Sequence, residues 1–245
     1  MNDNSPVLRV LSLPRDSDRR RRLRQDLSPV RDQLNFETPP SLETVRQLRA
    51  SPQFRHRQDM TDGEVSCALG HLAMLEAARD SNAPFLHLED DARLMGTVPP
   101  FASLIGNLQD DFDLMLLGVT AKKEFLGGKR HRIAGFDVVE LDRVSIKYLR
   151  GALAYSTSRP TLDALIESQK RFLTRSDSWE EFYRDGILRR ICVVDLFAHG
   201  DEGSSNLEAD RQAGMKRSTL RSTIKPVALA ALRASRILAG RVNVV

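Results

Sequence analysis

Between Thr61 and Leu94 a capped helix runs into a strand that ends on acid, and few folds accommodate that succession. Thr61-Asp-Gly-Glu64 has the form of a capping box, in which the Thr61 hydroxyl and the Glu64 side chain satisfy each other's backbone donors. Val65, Ala68, Leu69, Leu72 and Leu75 follow at helical spacing, which predicts a helix to about Arg79. His71 lies beside that apolar face and reads as a packed, hydrogen-bonded core histidine rather than a ligand. In PFLHLEDDARL, Pro84 to Leu94, the residues Phe85, Leu86 and Leu88 make the short apolar run of a buried strand. The run stops at Glu89, Asp90 and Asp91. Adjacent carboxylates repel, so a strand ending in three of them needs a counter-charge. Hard divalent cations such as Mg²⁺ and Mn²⁺ take carboxylate oxygens and keep further positions for phosphates. Such an ion can neutralise a leaving diphosphate. A solvated acidic turn is the alternative, and EDD taken alone favours it.

Around this unit, strands and helices alternate. Val7 to Leu13 predicts a first strand, and Asp16-Ser-Asp18 leads into a helix carrying Arg19 to Arg24, with acids near its positive end. A VLSL strand feeding a helix that bears arginines is an anion-binding arrangement. For Arg21, Arg22 and Arg24 a solvated basic face is the simpler reading. Further strands are predicted at Arg31 to Glu37, Asp113 to Gly118, Val138 to Leu141, Ile146 to Leu149 and Ile191 to Phe197. Helices are predicted at Ser41 to Ala50, Pro99 to Leu108 and Arg159 to Phe172. Ala121 to Arg132 reads as a basic loop, either a lid over an anionic ligand or simply solvated, and His199 to Arg211 as a polar loop. The pattern indicates an α/β sandwich with a largely parallel sheet.

Charge is divided unevenly. The 245 residues carry a net +4, yet no acid follows Asp210, and eight basic residues lie between Arg211 and Arg241. The body is therefore negative and the tail strongly basic. Neither basic stretch interleaves aromatic residues, which argues against nucleic acid as a partner. No apolar run approaches 18 residues and no secretory leader follows Met1, so a cytoplasmic protein is expected. Cys67 and Cys192 read as reduced core residues, and no Cys/His spacing suggests zinc.

Four segments, in order, resemble glycosyltransferase family 25, the family of bacterial lipooligosaccharide galactosyltransferases. They are VLSLPRDSDRR (Val10 to Arg20); TDGEVSCALGHLAML (Thr61 to Leu75), closely followed by PFLHLEDDARL; FDLMLLG (Phe112 to Gly118); and GALAYSTSRPTLDAL (Gly151 to Leu165). SSNLEADR, Ser204 to Arg211, is similar to the family's closing serine-rich segment. Ser66 stands where the family has a glycine before the cysteine, and Gly70 where it has a serine before the histidine. The resemblance spans roughly Val7 to Arg211, so residues 1–211 are expected to form the catalytic domain and 212–245 a basic tail.

This resemblance implies a GT-A fold, a Rossmann-like αβα sandwich, and inverting transfer of a sugar from a nucleotide donor, commonly UDP-galactose, to a lipooligosaccharide or LPS-type glycan. EDD would play the D-x-D part, with Asp91 coordinating Mn²⁺ or Mg²⁺ and Glu89 or Asp90 holding ribose or a metal-bound water. Glu89 also counts among the metal-side residues. Ser12, Leu13, Arg15 and Arg19 would serve the donor. Inversion needs a general base; Asp177 is the expected one, with Glu180 and Glu181 as rivals. His199 is a further expected metal ligand, by likeness to the C-terminal histidine of GT-A enzymes, and on its own a surface residue. A non-catalytic nucleotide-sugar or glycan-binding protein is the alternative function, and the intact EDD argues against it. In the tail, Pro226 is placed to begin a helix over Val227 to Gly240. Arg233 and Arg236 fall near Leu229 and Leu232, so an apolar wedge is not expected; attraction to an anionic membrane surface is.

Overall fold

The computed structural model describes residues 6–81, 83–109, 111–119, 126–200 and 242–243. A nine-stranded sheet runs in the order β11-β6-β7-β9-β5-β8-β3-β1-β2. Its strands are β1 (Val7–Leu11), β2 (Leu34–Glu37), β3 (Phe85–Glu89), β5 (Leu114–Gly118), β6 (Gly127–Ile133), β7 (Phe136–Leu141), β8 (Ala154–Thr157), β9 (Ile191–Val193) and β11 (Val242–Asn243). β4 (Ala92–Leu94) pairs separately with β10 (Phe197–His199). Strands β1, β2, β3, β5, β6 and β9 point one way and β7, β8 and β11 the other. The expected parallel arrangement thus holds within β2-β1-β3 and β5-β9, while β8 runs antiparallel between these blocks and makes the sheet mixed.

Strand alternation sends successive side chains to opposite faces, and each face has its own core. Phe85, Leu114, Leu116 and Tyr155 pack on one face. They meet α3 (Asp62–Ser81), α6 (Arg159–Arg171) and α7 (Trp179–Arg184). Leu8, Val10, Leu86, Leu88, Met115 and Leu117 pack on the other, against α1 (Ser17–Asp26) and α4 (Phe101–Gln109). The result is the three-layer, Rossmann-like sandwich. The Thr61–Glu64 capping box forms as read: Thr61 N–H donates to Glu64 Oε2 at 2.9 Å and Glu64 N–H to Thr61 Oγ1 at 3.2 Å. α2 (Leu42–Ala50) is capped by Ser41, whose hydroxyl accepts from Thr44 N–H.

Some expectations give way. Residues 28–33 form a 3-10 helix, so the second strand begins only at Leu34. Gly127 to Arg132 is strand rather than loop, because β6 closes a hairpin on β7 whose charges pair across it. His131 meets Glu140 at 2.9 Å and Arg132 meets Asp137 at 3.1 Å. Ile146 to Leu149 is not a strand: Asp142 caps a short helix, α5 (Arg143–Ile146), by accepting from Ser145 N–H. The last strand is split into β9 and β10, since Val194 and Leu196 N–H donate to the Leu116 and Leu117 carbonyls before the chain turns away to β4. Of the tail, Val242–Asn243 pair antiparallel with Gly127 and Gly128 of β6. The predicted helix over 227–240, the serine-rich segment 204–211 and residues 121–125 of the basic loop lie outside the described residues.

Two glycines mark close approaches. A Cβ on Gly70 would sit 2.5 Å from Leu11 Cδ1 and 3.1 Å from Pro39 Cβ, so the glycine suits the tight seating of α3 on the end of β1. At Gly118 a Cβ would lie 2.6 Å from the Phe197 carbonyl oxygen and 2.9 Å from Phe197 Cβ. Backbone cannot swing aside as a side chain can. Gly118→Ala is therefore expected to destabilise the protein by about 1–3 kcal/mol, the usual cost of overpacking. The urea midpoint reads this, and a change below about 0.5 kcal/mol would show that β10 yields freely.

Candidate active site

The carboxyl ends of β1, β2 and β3 fall on one edge, with Leu11 in register with Glu37 and with Glu89. β8 runs the other way, so its approach segment, Gly151 to Leu153, reaches the same edge, and Glu89 N–H donates to the Leu153 carbonyl at 2.8 Å. Ligands of open α/β sheets bind beyond such strand ends.

Alternation divides the EDD triplet. Glu89 follows Phe85 and His87 onto the α3 face, whereas Asp90 follows Leu86 and Leu88 toward α1. There Asp90 Oδ1 accepts from Arg19 at 3.2 Å, close to Ser12. Burial raises the Asp90 pKa, against the lowering pull of Ser12 and Arg19. Arg20 fixes the neighbouring strand end, its Nε donating to Ser12 Oγ and its terminal nitrogen to the Ser12 carbonyl, both at 2.9 Å. The arginine pair of α1 thus tethers the ends of β1 and β3. Leu13 is half-buried beside them and Arg15 is exposed. Arg24 is not simply solvated, since its guanidinium stacks 4.6 Å over the Phe36 ring.

Asp91 lies in the turn between β3 and β4. Its backbone carbonyl accepts from Gly200 N–H at 2.9 Å, and its Oδ2 lies 3.2 Å from His199 Nδ1. The other oxygen, Oδ1, is buried and has no hydrogen-bond partner among the described residues. The Asp91 contact raises the His199 pKa against the effect of burial. His199 keeps 40% of its side-chain surface exposed, so it is both a surface histidine and the partner of Asp91. Glu89 does not join them. Its Oε1 lies 3.5 Å from His71 Nε2, on the opposite face of the strand.

The profile of glycosyltransferase family 25, described as an LPS biosynthesis protein, matches residues 8–147. The chain belongs to glycosyltransferase family 25. It is accordingly a nucleotide-sugar-dependent glycosyltransferase, of a family described by its part in LPS biosynthesis. A search of curated proteins gives no significant match. The matched stretch contains Ser12, Leu13, Arg15, Arg19 and the whole of EDD, but ends before Asp177 and His199.

In this glycosyltransferase Asp177 stands where the approach segment to β8 begins. Its Oδ2 accepts from Gly151 N–H at 2.9 Å, while Trp179 Nε1–H donates to the Gly151 carbonyl at 2.9 Å. Gly151 has φ of 83°, a conformation that favours glycine, and the two side chains hold it from both sides. Asp177 is thereby tied to the segment that hydrogen-bonds Glu89. Of its rivals, Glu181 is paired with Arg57 and Glu180 is exposed.

What the sequence reading missed is the setting of His71. It is packed and hydrogen-bonded as expected, with Nδ1 3.1 Å from the buried Tyr155 hydroxyl. Its Nε2 is buried, makes no well-formed hydrogen bond among the described residues, and shares its surroundings with Cys67 and with Glu89, whose Oε1 is 3.5 Å away. Burial opposes a charge on this ring, but Tyr155, Cys67 and Glu89 together lift its pKa well above the ordinary value. Cys192 is buried as expected, whereas Cys67 is only partly so. The signal for this grouping was present as Cys-x₃-His on one helix face ahead of an acid at a strand end. No described helix is long and apolar enough to cross a membrane.

Proposed function

We propose that this glycosyltransferase has a GT-A architecture and transfers galactose, with inversion, from UDP-galactose to an LPS-type or lipooligosaccharide glycan. The observation that carries the reading is Asp91, whose buried Oδ1, without a hydrogen bond among the described residues, lies beside the His199 pair at the carboxyl end of β3. A carboxylate and an imidazole gathered at a strand edge form a donor set that fits Mn²⁺ or Mg²⁺. Asp91 and His199 would hold the ion, which supplies charge neutralisation for the diphosphate leaving group. Arg19, Ser12 and Asp90 form the adjoining rigid wall and serve the nucleotide. Asp177 takes the proton of the acceptor hydroxyl while its Oδ2 stays on Gly151. A screen of UDP- and GDP-sugars with Mn²⁺, scored by nucleoside diphosphate release, tests this. Release from UDP-galactose that depends on both acceptor and metal is expected; release from no donor, or full activity in excess chelator, would overturn it.

The basic tail is proposed to hold the enzyme on the anionic cytoplasmic membrane surface, where lipid-linked acceptors lie. Each basic residue near such a surface contributes about 1 kcal/mol. Because Val242–Asn243 extend the sheet edge, removal of charge is a cleaner test than truncation. Replacing Lys225, Arg233, Arg236 and Arg241 together by Gln should abolish cosedimentation with vesicles containing phosphatidylglycerol, at unchanged activity on a soluble acceptor. Equal sedimentation of variant and parent, or none for the parent, would refute the membrane role.

A further inference from the structure

Cys67, His71 and Glu89 each present one ligand atom, and these atoms lie within 4.8 Å of one another. Cys67 and His71 stand four residues apart on α3, hence on one helix face, and β3 brings Glu89 to them. We infer that these three side chains form a zinc-binding site, separate from the Asp91–His199 pair on the far side of the strand end.

Three features of the site point to a ligand. The first is His71 itself: at 2% exposure its Nε2 makes no well-formed hydrogen bond among the described residues, only an approach of 3.5 Å to Glu89 Oε1, and an ion held between the two atoms would satisfy both. The second is the support behind the ring. Metal-binding histidines usually donate their other ring N–H to a fixed acceptor, which sets tautomer and orientation. The buried Tyr155 hydroxyl, packed edge-on against Trp179, lies 3.1 Å from His71 Nδ1; with Nδ1–H donating to its oxygen, the Nε2 lone pair faces Cys67 and Glu89.

The third is chemical type. Thiolate and imidazole are soft to intermediate donors that select zinc over Mg²⁺ or Mn²⁺. Ligand atoms about 2.0–2.3 Å from one zinc ion, at the tetrahedral angle, lie roughly 3.5 Å apart. The His71–Glu89 separation of 3.5 Å already meets this, so Cys67 alone has to draw in. Cys67 is partly exposed, which gives the ion a way in. Binding releases the Cys67 thiol proton, and the His71 Nε2 proton where the ring is charged, as zinc–sulfur and zinc–nitrogen bonds form. The ion would anchor Glu89 to α3 and leave the donor face of the strand end to Asp90 and Asp91. The inference is independent of the transfer chemistry proposed above, and its failure would leave that reading untouched.

The test uses the full chain without an affinity tag, expressed with zinc and gel-filtered in metal-free buffer. About one zinc per chain is expected by elemental analysis. The metal should be lost in Cys67→Ser and retained in Asp91→Asn. Replacement by Co²⁺ should give a thiolate-to-metal charge-transfer band that Cys67→Ser lacks. A measurement on the parent chain guards against misfolding of the variant. Zinc should slow alkylation of Cys67 at least tenfold, with buried Cys192 as the internal reference. Absence of both zinc and the cobalt band, an unchanged band in folded Cys67→Ser, or equal alkylation rates with and without zinc would each overturn the site.

Discussion

Asp91→Asn is expected to lower sugar transfer by on the order of 10³-fold or more and to leave the protein folded. The magnitude follows from losing several kcal/mol of charge stabilisation at the leaving diphosphate, with each 1.4 kcal/mol worth a factor of ten. Folding should be spared because asparagine keeps the size of the side chain and an oxygen for His199. Among the described residues Oδ1 has no hydrogen bond to lose. A buried oxygen without a donor costs the fold about 1–3 kcal/mol, so removing the charge cannot weaken a bond that is not there. Steady-state UDP release with saturating donor and Mn²⁺ reads the activity, and a urea melt reads the fold. Transfer within a few-fold of wild type would show that Asp91 is not the metal-side carboxylate. A midpoint lowered by more than about 1 kcal/mol would show its role to be structural.

The reason such a position can be read from sequence is local. Capping box, apolar run and acid cluster are each contiguous, and the structure places all three as their residues dictate. β1, α1, β5 and α6 are legible for the same reason. What failed depends on partners far along the chain. Lys129 to Arg132 reads as a basic loop because Asp137 and Glu140, which balance Arg132 and His131, come from the returning strand. Ile146 to Leu149 has strand-like residues, but the Asp142 cap and the Ser145 bonds to Gly127 turn it into a helical corner. β4 is three residues long and owes its existence to β10, which arrives a hundred residues later. The division of EDD follows from strand alternation and was available in principle. Its meaning needed the structure, since only α3 and α1 show what waits on each face. His199 is named through the family likeness alone, and its seat against Asp91 needed the turn that brings the two together.

The second large effect is expected at Asp177. Asp177→Asn should slow transfer by roughly 10²–10⁴, the range for a removed general base, with little change in donor affinity. The substitution separates two roles of one side chain. As a structural residue Asp177 accepts the Gly151 N–H at 2.9 Å, and an asparagine carbonyl does the same. Gly151, held also by Trp179, should therefore stay in place, and with it the segment that bonds Glu89. As a base it must take up a proton, which an amide cannot do. Loss of kcat with an unchanged donor Kd and urea midpoint would assign it the chemical role. Glu180→Gln and Glu181→Gln are the controls. Glu180 is exposed, and its change should alter little. Glu181 is paired with Arg57, so its change should cost stability rather than kcat. If instead Asp177→Asn turns over at the wild-type rate and one of the glutamine variants collapses, the base belongs to α7 and Asp177 serves only to hold Gly151.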